Sequence, residues 1–374
     1  MKVLMVGGGT GGHVYPAIAI AEAVQERILD SKILFVGSEE GIEVRIIPRE
    51  RFSLVTIKSR GMLRKVSFKA ISAPFMAIAG FFQSLNIIRS FRPDIIVATG
   101  GFVSLPVVVA GFFLRVPIVL HEANVVPGLT TRICKWFASR IIISFESSRK
   151  YFRFRKVFCI GVPVRKEIIR SVKGIAIQNL GLRQEQKIVL VLGGSQGAMS
   201  INKVVVDSLP ELETLNIAML HVCGERDHSW IIEATKDRYP FYHLFAYMFN
   251  IWDGLAAADV AVSRAGAMAI SEILARGLPS ILVPFPYSSE GHQDHNADVL
   301  VKGGAAILIK DRDLNRETLV NGIKQLLNDR QSYLNMQNAC RTLSRPDAAN
   351  EIVGVMTGIL GIDLDVRKRK KKKQ

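Results

Sequence analysis

One local pattern constrains this chain more than any other: a short apolar run, a cluster of glycines, then a helical stretch, and it occurs twice. The first copy is Lys2–Val6, the loop Gly7-Gly8-Gly9-Thr10-Gly11-Gly12-His13, and a helix expected from about Val14 to Leu29. The second is Ile188–Leu192, then Gly193-Gly194-Ser195-Gln196-Gly197, then another helical stretch. Further strand-like runs fall at 33–36, 54–57, 95–98, 118–121 and 141–144 in the first half, and at 218–223, 260–263, 281–284 and 306–309 in the second. Continuous apolar strands alternating with helices specify parallel sheets covered on both faces. The expectation is an α/β chain of two Rossmann-like domains, 1–161 and 162–346, joined near Ile160-Gly161-Val162-Pro163, where Gly and Pro break the pattern. A helix at about 347–361 is expected to pack back onto the first domain, and at 374 residues one hydrophobic core would be outgrown anyway.

The charge narrows the partners. A net +16 is unevenly spread: residues 1–161 carry +12, residues 162–366 carry −3, and the tail at 367–374 adds +7 through Arg367-Lys368-Arg369-Lys370-Lys371-Lys372-Lys373. The first half and the tail therefore attract anions, whether nucleic acid, anionic lipid or a pyrophosphate substrate. Two apolar stretches, 68–88 and 103–120, are broken by Lys69, Pro74, Gln83 and Asn86 and by Pro106, Arg115 and Pro117, so neither reads as a bilayer span. Arg60, Arg64 and Lys65 precede Phe75, Met76, Ile78, Phe81 and Phe82, a basic rim beside an apolar face. That combination suits docking on anionic lipid; the plainer reading is a core helix after a solvated loop. Cys134, Cys159, Cys223 and Cys340 have no CxxC or metal-ligand spacing and read as buried thiols in a reducing compartment. The apolar start is too short for a signal peptide, so a cytoplasmic protein is expected.

A glycine loop between strand and helix brings backbone N–H groups to an anion at the positive end of the helix dipole. A dinucleotide oxidoreductase has such a loop, with an acidic residue about 20 positions on for the ribose. Here Glu39 and Glu40 come later, beyond Gly37-Ser38, and neither loop has the Gly-Lys-Ser/Thr of a nucleotide-hydrolysing P-loop. A third pair, Gly100-Gly101, follows the run 95–98. Glycine turns at strand ends in both halves point to a site that handles phosphates from two sides.

The segments GGTGGHVYPA, GGFVSLPV, HEANVVPG, GVPVR, GGSQGA, SRAGAMAISE and PFPYSSEGHQDHNA, in that order, resemble the motifs of the MurG family from Met1 to about Leu360. That family moves N-acetylglucosamine (GlcNAc) from UDP-GlcNAc to undecaprenyl-pyrophosphoryl-MurNAc-pentapeptide (lipid I), forming lipid II for peptidoglycan. The resemblance implies the GT-B fold, two Rossmann-like domains whose parallel sheets face across a central cleft. It implies a peripheral enzyme on the cytoplasmic face of the bacterial membrane, with UDP-GlcNAc, lipid I and anionic lipid as partners and no nucleic acid. Two positions depart from the family: it usually has Gln at Ala123 and Gly at Leu105, both on the presumed acceptor side.

Residue by residue, the resemblance implies a donor site of Arg165, Ser195, Met248, the run Ala267, Met268, Ala269, Ile270, Ser271 and Glu272, and Gln293, with Thr10, Gly11, Gly12 and Asn124 from the first domain. Ser195 and Arg165 would face the diphosphate, Glu272 the ribose, Met248 the base edge through its backbone, and Gln293 the sugar hydroxyls. Read alone, Arg165 serves equally as a linker salt bridge, Glu272 as a helix-terminal charge and Met248 as core. Gln293 and Asn296 share a helix face. Gly11, Gly12, His13, Gly100 and Gly101 are expected to hold the acceptor pyrophosphate. Displacement at C1 with inversion needs a base for the acceptor 4-hydroxyl; His13 is the first candidate and Glu122 the second, although a histidine here also suits helix capping or phosphate binding. Asp311-Arg312-Asp313 and Asp363-Leu364-Asp365 read as helix caps or solvated carboxylates, so no metal and no cofactor are expected. The rivals are a related transferase with another lipid acceptor such as diacylglycerol, a dinucleotide oxidoreductase, and a non-catalytic binder working through the basic tail.

Overall fold

Seven parallel strands form the first sheet: β1 (Lys2–Gly7), β2 (Lys32–Ser38), β3 (Ser53–Ile57), β4 (Ile95–Gly100), β5 (Ile118–Glu122), β6 (Arg140–Ile143) and β7 (Val157–Cys159), in the order β3-β2-β1-β4-β5-β6-β7. The second sheet has six: β8 (Lys187–Leu192), β9 (Ile217–Val222), β10 (Tyr242–Phe245), β11 (Val260–Ser263), β12 (Ser280–Leu282) and β13 (Ala306–Leu308), in the order β10-β9-β8-β11-β12-β13. These strands belong to a computed structural model that describes residues 1–59, 73–152, 156–194 and 197–363. Ser195, the rim Arg60, Arg64 and Lys65, and the basic tail lie outside the described residues.

The central strands read correctly from sequence because both faces are covered: β4 is buried at all six positions, and β8 at every position but its first. Strands β7 and β10 escaped the reading. β7 (Val157–Cys159) has only three residues, too short a run to stand out, and β10 (Tyr242–Phe245) is half-buried throughout with His243 breaking its apolar run. The expected helix at 14–29 runs over Gly11–Arg27 instead, because the last glycines of the loop are already its first turn. Of the four thiols, Cys134, Cys223 and Cys340 are buried, and Cys159 on edge strand β7 is half-buried.

The chain divides into one unit made of Met1–Arg165 and the segment from Asp347 onward, and another made of Lys166–Pro346. The division falls four residues later than the Gly161/Val162 boundary read from sequence; Arg165 lies with its guanidinium carbon 4.3 Å from the Tyr15 ring centroid. Helix Ala348–Leu360 joins the first core. Ile352, Val353 and Met356 cluster with Val14, Ile18, Ala21 and Val24 of Gly11–Arg27, and Arg27 Nη1 donates to the Asn350 carbonyl at 2.8 Å. Truncating fully buried Ile352 to Ala should cost about 2–5 kcal/mol. Hydrogen exchange checks this: amides of Gly11–Arg27 should lose protection, while those of β8 and β11 stay unchanged.

Candidate functional site

In each sheet, successive connections run outward in opposite directions from one adjacent pair of strands, β1 and β4 in the first, β8 and β11 in the second. Loops leaving such a pair diverge and open a crevice beyond the strands' carboxyl ends, the place where open α/β sheets bind ligands. The glycine motifs leave these four strands: Gly7–Gly12 after β1, Gly100-Gly101 at the end of β4, Gly193-Gly194 after β8, and Gly266 after β11.

The helices that follow share an omission. Gly11–Arg27, Ser104–Phe113, Met199–Leu212 and Ala267–Arg276 start with no side-chain cap and no acidic residue in the first turn. Leu129–Cys134 and Lys173–Asn179 lack both as well, whereas Arg316–Asn328 has a capping box between Asn315 and Thr318 and an acidic Glu317, so the glycine turns are what single out the four helices at the switch points. Uncapped N–H groups at the positive end of a helix are what a phosphate satisfies.

In the first unit the loops after β1 and β4 meet backbone to backbone. A Cβ on Gly101 (φ +83°) would lie 2.3 Å from the Gly8 carbonyl oxygen, and one on Gly100 (φ +113°) 2.6 Å from His13 Cδ2. Glycine at both positions lets the His13 ring settle there. His13 Nδ1 lies 3.1 Å from the Gly8 carbonyl and 3.2 Å from Thr10 Oγ1. A carbonyl only accepts, so Nδ1 carries the hydrogen and the basic lone pair falls on Nε2. Thr99 Oγ1 fixes the turn by donating to the His13 carbonyl at 2.7 Å. Thr10 is exposed, and Gly11, Gly12 and His13 are half-buried.

A residue the sequence reading missed holds this loop. Glu43 is fully buried; its Oε2 accepts the Gly9 N–H at 2.8 Å, and its Oε1 accepts the Ser38 N–H at 2.8 Å and hydroxyl at 2.7 Å. Glu39, Glu40 and Glu43 look alike in a charge run, and no pattern in the sequence separates the anchor from its neighbours.

Glu122, at the end of β5, is 4% exposed. Its Oε1 accepts the Asn124 backbone N–H at 2.9 Å and Nδ2 at 3.2 Å, and its Oε2 accepts the Gly128 N–H at 3.3 Å. Burial pushes the carboxyl above its usual range, opposed by hydrogen bonds from Thr131, Asn124 and Gly128. This carboxylate latches the loop 123–128. Both departures from the family's motifs are packed: Ala123 is buried, and Leu105 lies against the core beside β4.

In the second unit, Gly194 (φ +81°) and Gly197 (φ +75°) shape the loop, and a Cβ on Gly197 would sit 2.4 Å from the Cys223 carbonyl oxygen. Behind it lies another network absent from the sequence reading. Asn202 Nδ2 donates to that carbonyl at 2.9 Å and to Asp227 Oδ2 at 2.8 Å, and Asn202 Oδ1 lies 3.0 Å from His221 Nε2, whose ring is fixed by the Tyr242 hydroxyl 2.7 Å from Nδ1. Glu272, 7% exposed, lies on Ala267–Arg276 with Ala267, Met268, Ala269, Ile270 and Ser271. Asn296 Nδ2 ties the helix His292–Lys302 to the Ala265 carbonyl at 3.1 Å, and Gln293 Oε1 accepts the Phe285 N–H at 2.9 Å. Met248, 8% exposed, lines a pocket of about 430 Å³ with Leu180, Phe245, Tyr247, Asn250 and Asp253. Asp313 is exposed, as expected, but Asp311 is half-buried and forms an ion pair with Arg264 at 2.6 Å, because the end of β11 brings a buried guanidinium beside the turn that follows β13. Arg165, expected with the donor residues, belongs to the first unit and is 6% exposed.

His121, beside Glu122 on β5, is fully buried, with Nε2 3.1 Å from the Gly161 carbonyl. Burial pulls it down to about 4 from 6.5. The folded chain therefore holds fewer protons than the unfolded chain between these values, and acidification favours unfolding. The contribution, about 3 kcal/mol, is intact above pH 6.5 and fades towards pH 4. Urea midpoints of the first unit should fall from pH 7 to pH 5, and His121→Gln should flatten that slope; an unchanged slope removes His121 as its source.

Comparison with known proteins agrees with this arrangement. Residues 3–143 match the glycosyltransferase family 28 N-terminal domain, and residues 188–352 match the family 28 C-terminal domain. A UDP-N-acetylglucosamine–N-acetylmuramyl-(pentapeptide) pyrophosphoryl-undecaprenol N-acetylglucosamine transferase from Desulforamulus reducens is 37% identical over 368 residues, covering 96% of this chain and 99% of the relative. Its counterpart from Clostridioides difficile is 38% identical over 357 residues, 94% of this chain and 87% of the relative. Among solved structures, MurG of Acinetobacter baumannii superposes with a TM-score of 0.72 at 23% identity, over 96% of this chain and 99% of that one. A UDP-GlcNAc 2-epimerase from Neisseria meningitidis, bound to UDP-GlcNAc, shares the fold with a TM-score of 0.69 at 15% identity, over 96% of this chain and 100% of that one. Identity of this level along nearly the whole length, with both family 28 domains matched, leaves one conclusion: the chain belongs to the MurG family of family 28 glycosyltransferases.

Proposed function

We propose that this chain transfers GlcNAc from UDP-GlcNAc to the MurNAc 4-hydroxyl of undecaprenyl-pyrophosphoryl-MurNAc-pentapeptide, with inversion at C1 and without a metal, at the cytoplasmic face of a bacterial membrane. One observation carries the reading. A chain related over 96% of its length to transferases named for this reaction has glycine backbone and uncapped helix starts at the switch point of each sheet.

On the donor side, the N–H groups that open Ala267–Arg276 and Met199–Leu212 would receive the diphosphate. The acceptor oxygen attacks C1 as the bond to UDP breaks, and the charge growing on the leaving phosphate meets dipoles already in place. Glu272 would take the ribose hydroxyls, Met248 the base through its backbone, and Gln293 the sugar hydroxyls. Asp311 is engaged by Arg264, so its carboxylate is committed to the protein. On the acceptor side, the loop 9–13 and Gly100-Gly101 would hold the pyrophosphate, and His13 Nε2 would take the proton from the 4-hydroxyl. The imidazolium would then be held through Nδ1 by Gly8 and Thr10. The Glu122 oxygens already hold Asn124 and Gly128, which favours His13 over Glu122 as the base.

The membrane half of the reading is supported by a patch on the first unit. Ile78, Phe82, Phe112, Phe113 and Trp136 are 57%, 60%, 49%, 66% and 57% exposed, and Phe81 packs edge-on against both Phe82 and Phe113. Of the apolar face expected from sequence, Ile78 and Phe82 are exposed, Met76 and Phe81 are half-buried, and the side chain of Phe75 lies outside the described residues. Arg115 is exposed, and Lys135 Nζ lies 5.4 Å from the Trp136 ring centroid, so cations adjoin the aromatic surface. Aromatic bodies ringed by basic residues suit the interface of an anionic bilayer. No helix among the described residues is long and apolar enough to cross a membrane.

Offered UDP-GlcNAc and a water-soluble lipid I analogue in EDTA, the chain should form the disaccharide product; a strict requirement for added magnesium would end the metal-free reading. His13→Ala should lower kcat at least about 100-fold, the usual share of a general base, with UDP-GlcNAc affinity preserved. Phe82→Ser and Phe113→Ser together should weaken binding to anionic vesicles and leave turnover of the soluble acceptor intact, as measured by vesicle sedimentation.

A further inference from the structure

We propose that Arg264, Asp311 and Ser200 form a positioning clamp for the donor diphosphate site, an inference that rests on the donor reading of the second unit. Arg264 is the first residue beyond β11 and is 9% exposed. Its Nη1 donates to Asp311 Oδ1 at 2.6 Å and to the carbonyls of Val283 and Pro284 at 3.1 and 3.3 Å. Its Nη2 donates to Ser200 Oγ at 2.7 Å, and the Ser200 hydroxyl donates to the same Asp311 oxygen at 2.6 Å. The Phe285 ring centroid lies 5.5 Å from the guanidinium carbon.

One cation therefore gathers the exits of four neighbouring strands. Ser200 is the second residue of the helix after β8, Arg264 follows β11, Val283 and Pro284 follow β12, and Asp311 stands in the turn after β13. Two of the uncapped helix starts, Met199–Leu212 and Ala267–Arg276, are held by the same group, one through Ser200 and the other through the backbone just before Gly266. The strand-exit segment it grips also leads to Phe285, whose N–H holds the Gln293 side chain. Both ends of the donor subsite thus hang on one guanidinium.

The clamp acts through the backbone it holds and makes no contact of its own with the donor. The hydrogen bonds of Arg264 run to protein acceptors, and Asp311 neutralises its charge, which leaves little net attraction for a phosphate. Hydrogen bonds from helix N–H groups weaken steeply with misalignment, so a small shift between the two helix starts would be felt as lost donor affinity. The Asp-x-Asp spelling of 311–313, which resembles a metal motif, here marks one end of the clamp.

The test uses the full chain, calorimetric titration with UDP-GlcNAc, and initial rates with a soluble lipid I analogue. Ser200→Ala removes one hydroxyl near the start of a helix and should leave the fold intact. It should raise both Kd and KM for the donor roughly five- to twentyfold, about 1–2 kcal/mol in binding terms, with the acceptor KM unmoved and kcat at saturating donor within about threefold. Ser200→Thr should restore donor affinity. Asp311→Asn should raise Kd further, and the double variant should fall short of the product of the single effects, as coupled residues do. Donor Kd within about twofold of the unsubstituted chain in both single variants would overturn the clamp, as would a lowered Tm accompanied by an unchanged donor KM. If the unsubstituted chain fails to bind UDP-GlcNAc, the donor reading itself falls; tight binding by every variant sinks the clamp alone.

Discussion

In each unit two stretches of backbone leaving neighbouring strands, β1 and β4 in the first and β8 and β9 in the second, pass so close that no side chain fits between them, and the loops of the site depend on that contact. Gly101 faces the Gly8 carbonyl, and Gly197 faces the Cys223 carbonyl. With no Cβ at these points the chain can leave one strand, cross its neighbour and start a helix with its N–H groups still turned outward. A larger residue there would push the loops apart and fill the crevice the sheet topology provides. Both units use such an approach, at the switch pair in the first and one strand away from it in the second, and their contents differ: His13 and a half-buried turn in one, a buried Glu272 in the other.

Glycine loops are entropically expensive to hold in one shape, and each unit answers with buried polar groups beneath the loop. In the first, the Glu43 carboxylate takes two backbone N–H groups and a hydroxyl. In the second, Asn202 bridges His221, Asp227 and the Cys223 carbonyl. Such networks are strong in a low dielectric only when their members are satisfied, which is why short side chains of fixed geometry do the holding while the ligand-facing surface stays mostly backbone.

The sequence displayed the parts of this protein that depend on neighbours along the chain. Apolar runs mark the interior strands, and glycines at strand ends mark the switch points. β7 is hidden by its three-residue length, and β10 by the histidine that interrupts its apolar run. Glu43, Arg264 and Ser200 are hidden for another reason: each has a decisive partner far along the chain, Glu43 and Gly9 being 34 positions apart, Arg264 and Asp311 47, and Ser200 and Asp311 111. At Asp311 the spacing predicts a cap or a solvated carboxylate, because spacing alone cannot tell a carboxylate open to solvent from one facing a buried arginine. Arg165 was assigned by its motif to the second domain, and its stacking on Tyr15 puts it in the first.

The helix Ala348–Leu360 gives the molecule an unusual order of assembly. Val14, Ile18, Ala21 and Val24 emerge from the ribosome early, yet their partners Ile352, Val353 and Met356 are made only after the whole second unit. At elongation rates of about 5–20 residues per second, that apolar stripe waits roughly 15–65 s for them. The unit synthesised first is thus the last to be completed. A nascent chain halted anywhere within the second unit would present the cell with an open hydrophobic seam, and such fragments would be natural clients for chaperones that bind exposed apolar helices.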